Sequence, residues 1–245
     1  MAGDPPIPDA AINSPSLEDE AEGFASRINE VLQECLGRSE IIIHARSANR
    51  KVSVRGADTQ GIGLYVQGTL TYRLKVSYLC TWNDARHFLA VEKSNITFFH
   101  ERTTEPLFHF DYLRNPRRVP AAHINVHTEH AAFHEAMSDS KSGAPARKNS
   151  TARSLHIPSG GHRFRPTVED ALEMIITEFG VDHADDWQEH VKRGRAMFRE
   201  TQLSAAVHDH PARAADTLRV LGYRVEWPKE LGREPLMRWD KFTAY

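Results

Sequence analysis

The spacing of apolar residues changes twice along the chain. From Ser16 onward, Leu17, Ala21, Phe24, Ala25, Ile28, Val31, Leu32, Cys35 and Leu36 keep a helical period. Ser16 with Asp19 three residues on reads as a capping box, and Gly37 as the residue that ends the helix. The period then shortens to two. In Thr69–Leu79 the residues Leu70, Tyr72, Leu74, Val76 and Tyr78 face one way and Thr69, Thr71, Arg73, Lys75 and Ser77 the other. Shorter strands are predicted at Ile41–Arg46 and Lys51–Arg55. His87–Glu92 and Asn95–His100 read as a hairpin about Lys93-Ser94, Leu107–Leu113 and Ala122–Thr128 as the next pair, and Leu155–Ile157 as a last short strand. From Thr167 the helical period returns. Val168, Ala171, Leu172, Ile175, Ile176 and Phe179 form a stripe between a second capping box, Thr167 with Asp170, and Gly180. Further helices are expected at His183–Phe198 and Pro211–Leu221, and an edge strand at Tyr223–Trp227.

Alternating strands have one covered and one wet face, as antiparallel sheets do. The chain is therefore expected to be α+β: an N-terminal helix packed on a mostly antiparallel sheet of about five to seven strands, followed by a C-terminal helical annex. The division expected is a disordered tail at 1–15, an α+β domain at 16–165 with a flexible basic loop at 138–153, the annex at 166–228 and a C-terminal tail at 229–245.

Composition narrows the class. Hydrophobic residues make up 40% and charged residues 26% of the chain, ordinary for a globular protein. No apolar run approaches the roughly 18 residues of a membrane span. Residues 1–15 have neither a basic nor an apolar region, so no signal peptide is read there. The only cysteines, Cys35 and Cys80, fall on apolar faces and read as buried thiols of a cytoplasmic protein. Charge is unevenly spread: Arg102 to Arg165 holds ten Lys or Arg against five Asp or Glu, whereas Glu169 to Glu189 holds eight acids and no Lys or Arg. A basic middle suits an anionic ligand such as RNA or another phosphate-bearing molecule.

The same middle is rich in histidine: nine of fourteen lie between His87 and His162. Parity places His109 and Asp111 opposite Phe108, Phe110 and Tyr112, and His123, Asn125 and His127 opposite Ala122, Ile124 and Val126. If residues 114–121 close a hairpin, those five polar groups share one face, and His156 on the following strand joins them. Two chemistries are open to such a set. In phosphodiester cleavage one imidazole takes a proton and another returns one, with Asp111 orienting a ring. Alternatively two imidazoles and a carboxylate hold a divalent metal; His123, His127 and the i, i+4 pair His130 and His134 on a short helix at Glu129–Met137 are the candidates. No motif commits the chain to a cofactor. A non-catalytic reading is also open: a solvated polar face that binds nucleic acid or protein, as an antitoxin or regulatory subunit would.

Gly160-Gly161-His162-Arg163-Phe164-Arg165 precedes a helix start. Its glycines expose backbone amides and its arginines suit phosphate, so Gly160, Gly161, Arg163 and Arg165 are phosphate-binding candidates. Arg117 and Arg118, with Arg114, form a basic hairpin tip. The order Phe110-Asp111-Tyr112, His123 to His127, Arg163-Phe164 and then the helix from Thr167 to Phe179 resembles small bacterial toxins of the TumE type over Phe108–Phe179. This chain differs in a His-x-x-x-His spacing and in greater length. The resemblance implies action on RNA and a partner antitoxin that holds the protein inactive; with the histidine set it would make a metal-independent ribonuclease or phosphodiesterase.

Overall fold

A computed structural model of the chain describes residues 15–83, 88–127, 157–228, 230, 232 and 235–243. The tail at 1–14, the helix expected at Glu129–Met137 with His130 and His134, the loop 138–153 and His156 lie outside the described residues. The elements are α1 (Leu17–Leu36), β1 (Ile43–Ala48), β2 (Lys51–Gly56), β3 (Ile62–Val66), β4 (Thr69–Trp82), β5 (Leu89–His100), β6 (Pro106–Leu113), β7 (Ala122–Val126) and β8 (Ile157–Pro158). Helices α2 (Val168–Phe179), α3 (Trp187–Asp209), α4 (Pro211–Val220) and α5 (Trp239–Thr243) follow.

All strands pair antiparallel in one open sheet ordered β1-β2-β4-β5-β6-β7-β8, with β3 on the first half of β4 beside β2. Two-residue turns with positive φ close its first hairpins, at Asn49 and Arg50 and at Gln67 and Gly68. The Asp182 carboxylate accepts the amides of Gln67 (2.8 Å) and Gly68 (2.7 Å), so a loop after α2 caps the β3–β4 turn.

One face of the sheet is covered. Leu74, Val76, Phe98, Phe108 and Phe110 meet the apolar stripes of α1 and α2 in a single core, and Trp187 and Val191 of α3 belong to it too. Phe98 is its centre, with Phe108 (4.9 Å), Tyr72 (4.8 Å) and Phe179 (4.9 Å) around its ring. Helix α2 therefore packs into the main core. Both capping boxes form: the amide of Asp19 donates to Ser16 Oγ (3.1 Å), and the amide of Thr167 to Asp170 Oδ2 (2.9 Å). Cys35 and Cys80 are buried and free, and burial pushes both thiols up to about 12.

Several expectations are corrected. The hairpin about Lys93-Ser94 is one continuous strand, β5. Lys93 and Ser94 lack the left-handed residues of a tight turn, and a bulge opposite Leu79/Cys80 interrupts the alternation there. Strand β3 was not anticipated, because Gly61 and Gly63 break its alternation. Tyr223–Trp227 adds no strand; Arg219 Nε donates to the carbonyl of Val225 (2.9 Å) and holds this stretch against α4. Helix α3 begins four residues after His183 and runs eleven beyond Phe198. The tail at 229–245 contains α5, docked through the Arg238 amide on the carbonyl of Asp209 (2.7 Å). No helix among the described residues is long and apolar enough to cross a membrane.

Candidate functional site

The face of β5, β6 and β7 opposite the helices brings together five residues picked out by parity. The register sets Asp111 opposite His123 and His109 opposite Asn125, and His127 follows at the end of β7. Asp111 is the hub. Its carboxylate accepts from Asn95 Nδ2 at 2.7 Å and faces His109 Nε2 at 3.3 Å and His123 Nε2 at 3.6 Å. Because a carboxylate only accepts, His109 Nε2 carries its hydrogen toward Asp111, leaving Nδ1 as the acceptor. His127 Nε2 lies 3.1 Å from that Nδ1 and donates to it. The other nitrogen of His127, Nδ1, faces Glu105 Oε1 at 3.8 Å. The result is a line of proton-bearing groups from Asp111 through His109 to His127.

Burial divides these residues by what they can reach. His123 is 2% exposed, and its Nδ1–H donates to the carbonyl of Pro120 at 2.9 Å. With Nδ1 committed, the ring turns Nε2 to Asp111. His123 and the buried Asn125 therefore support the hub, whereas His109 and His127 are half-buried. Burial by itself raises the pKa of Asp111, but hydrogen bonds from His109, His123 and Asn95 outweigh it and hold the carboxyl well below the ordinary carboxylate range. Among the described residues no group of three His, Cys, Asp or Glu is placed to hold a metal ion. The Nε2 atoms of His109 and His123 turn to one carboxylate oxygen instead of to a common point.

The expected phosphate ligands do not join this site. Tyr112 has the parity of Phe110, so groups that meet it lie on the helix-covered side. Arg165 stacks on Tyr112 (4.2 Å to the ring centroid) and on Phe198 (5.2 Å), and donates to the carbonyl of His162 (2.9 Å). Arg163 is bound through Nε and Nη2, each 2.7 Å from Asp209 Oδ2. Gly160 and Gly161 serve a tight turn: their φ values are 64° and 58°, and a Cβ at Gly160 would lie 2.0 Å from the carbonyl oxygen of Phe164. At the start of α2 the Asp170 carboxylate accepts the amide (2.9 Å) and the hydroxyl (3.3 Å) of Thr167. Arg117 and Arg118 are exposed at the β6–β7 tip, beyond the Asp111 end of the strands.

His162, not a candidate from sequence, is 4% exposed, with Nδ1 3.0 Å from the Tyr112 hydroxyl. Burial, then the nearby cations Lys241, Arg163 and Arg165, push its pKa down to about 4. An imidazole with a depressed folded pKa stabilises the fold above its unfolded pKa, and that stability is lost as pH falls from about 6.5 toward about 4. His162→Gln is expected to remove up to about 3 kcal/mol of acid-dependent destabilisation over this window. Urea unfolding at a series of pH values tests this; parallel curves for native and variant protein would disprove it.

The residues missed by sequence are Asn95, Thr97 and Glu105. Thr97 Oγ1 donates to Asn95 Oδ1 (2.5 Å), which turns the amide's nitrogen to Asp111. Reading β5 as two strands hid Asn95, although its alternation with Lys93 and Thr97 carried the signal. Comparison of the chain with family models, curated proteins and solved structures gives no match. What the fold and site define is a class: an α+β protein with a carboxylate–imidazole relay on the polar face of an antiparallel sheet.

Proposed function

We infer that the protein is an acid–base phosphodiesterase acting on RNA. The observation that carries this reading is the Asp111–His109–His127 line, with 3.3 Å and 3.1 Å between successive polar atoms. Asp111 fixes the His109 tautomer, His109 accepts from His127, and a proton entering the line from outside is taken at His127 Nδ1, where Glu105 offsets the charge. RNA supplies its own nucleophile. His127 takes the proton of the 2′-hydroxyl as that oxygen attacks phosphorus. The bond to the 5′-oxygen then breaks, a 2′,3′-cyclic phosphate remains, and His127 returns the same proton to the leaving oxygen. The resemblance to TumE-type toxins, in the order Phe110-Asp111-Tyr112 and then His123 to His127, favours the same substrate.

His127→Gln is expected to lower RNA cleavage by about 10²–10³-fold without loss of fold. Cleavage of a 3′-end-labelled RNA resolved on a gel reads this, and native activity in the variant would end the proposal. The burial of His123 and Asn125 favours a second reading, a binding module in which the network is structural. That reading requires salt-sensitive RNA binding by a native protein that does not cleave.

A further inference from the structure

With Arg163 and Arg165 turned to the other face, the cations a phosphodiester substrate needs come, among the described residues, from the sheet itself. The register carries the Asp111 row across six strands: His44, Arg55, Ser77, Asn95, Asp111 and His123 stand side by side from β1 to β7. In the next row Arg46 and Lys93 have the same parity, and on the other side Lys75 shares the row of Thr97, His109 and Asn125. Across these three rows Asp111 is the sole carboxylate, so the face is basic as far as the relay.

Arg46, Arg55, Lys75 and Lys93 are all exposed. Among the described residues none of the four joins an ion pair, whereas Arg73, Arg163 and Arg195 do. Their field is felt locally: burial first, then Arg46 and Arg55, hold the His44 imidazole below its ordinary pKa. Lys75 Nζ lies 5.2 Å from the centroid of Phe99, which offers an aromatic ring on the same face. Adjacent strands are about 4.8 Å apart, so the row is about 24 Å long, room for about seven stacked nucleotides. Lys75 is two strand spacings, about 10 Å, from His109, so a lysine and an imidazole reach the same phosphate.

We propose that the polar sheet face from β1 to β5 is a docking track for single-stranded RNA, with Arg46, Arg55, Lys75 and Lys93 on its phosphates and the strand leading to His127. This rests on the acid–base reading for its choice of RNA. The occupant is a single strand because the face offers cations and a ring for unpaired bases and, among the described residues, no protruding helix to enter a groove.

The test is anisotropy of a fluorescein-labelled single-stranded RNA of about twelve nucleotides with the full chain. Four phosphate contacts predict that raising salt about fourfold weakens binding by about 50-fold. The variant R46Q/R55Q/K75Q/K93Q is expected to bind at least about tenfold more weakly at low salt and to lose most of that salt dependence. The pair R55Q/K75Q, less disturbing to the surface, is expected to lose about half of it. R27Q/R199Q/R213Q/R224Q removes the same charge from α1, α3, α4 and the stretch that follows α4, and is expected to bind within about threefold of native. No binding by native protein, native-like binding by the quadruple variant, an equal loss in the helix variant, or equal affinity for a polyglutamate peptide each overturns the track. Cleavage is read in the same samples. Binding without cleavage removes the acid–base reading and leaves the track; cleavage with binding untouched by the quadruple variant does the reverse.

Discussion

Asp111→Asn is expected to lower RNA cleavage by about 10³–10⁴-fold and folding stability by about 2–4 kcal/mol, the largest double effect of any single change in this protein. The carboxylate offers acceptors to Asn95, His109 and His123 at once. An amide keeps one oxygen and adds a donor, so at least one buried N–H is left facing another. His109 then loses the group that fixes its tautomer, and the relay to His127 is broken without loss of either imidazole. The pH dependence separates the two effects. A carboxyl held below its ordinary pKa stabilises the fold above about 3.9, and that stability is lost as pH falls below it. Native protein should therefore show an acid-dependent fall in urea-unfolding free energy that Asp111→Asn lacks. Equal stability of the two proteins across this range would mean that Asp111 is not the hub.

Asp209→Ala is expected to cost about 3–4 kcal/mol in stability while leaving RNA affinity unchanged. Asp209 ends α3 at 5% exposure and receives two nitrogens of Arg163, and its carbonyl receives the amide that docks α5. Removing it strands a guanidinium against the Tyr112–His162 corner. Were Arg163 a phosphate ligand, freeing it would instead strengthen RNA binding at little cost in stability. Urea unfolding and anisotropy on one preparation distinguish the outcomes.

The relay was legible in sequence to the extent that it depends on parity. Phe108, Phe110 and Tyr112 against His109 and Asp111 state which side of β6 is wet, and His123, Asn125 and His127 repeat the statement on β7. Both capping boxes were legible for a similar reason: three residues suffice to close them. What escaped depends on distance along the chain. Asn95 reaches Asp111 only because β5 runs unbroken through its bulge, and a bulge reads locally like a turn. Nothing local to Gly160-Gly161 says that the chain leaves the sheet plane there for the helix layer, which is what separates Arg163 and Arg165 from the histidines. Arg55 and Lys75 looked like ordinary wet-face residues until β2, β4 and β5 were placed in order beside β6.

The strands of β6 and β7 serve two masters at alternate positions, core on one side and relay on the other. Gain or loss of one residue within either strand would send Phe110 to water and Asp111 into the apolar layer together. Divergence in this stretch is thus confined to exchanges of one side chain for another, while the 114–121 connection, outside the pleat, is where length is free to drift.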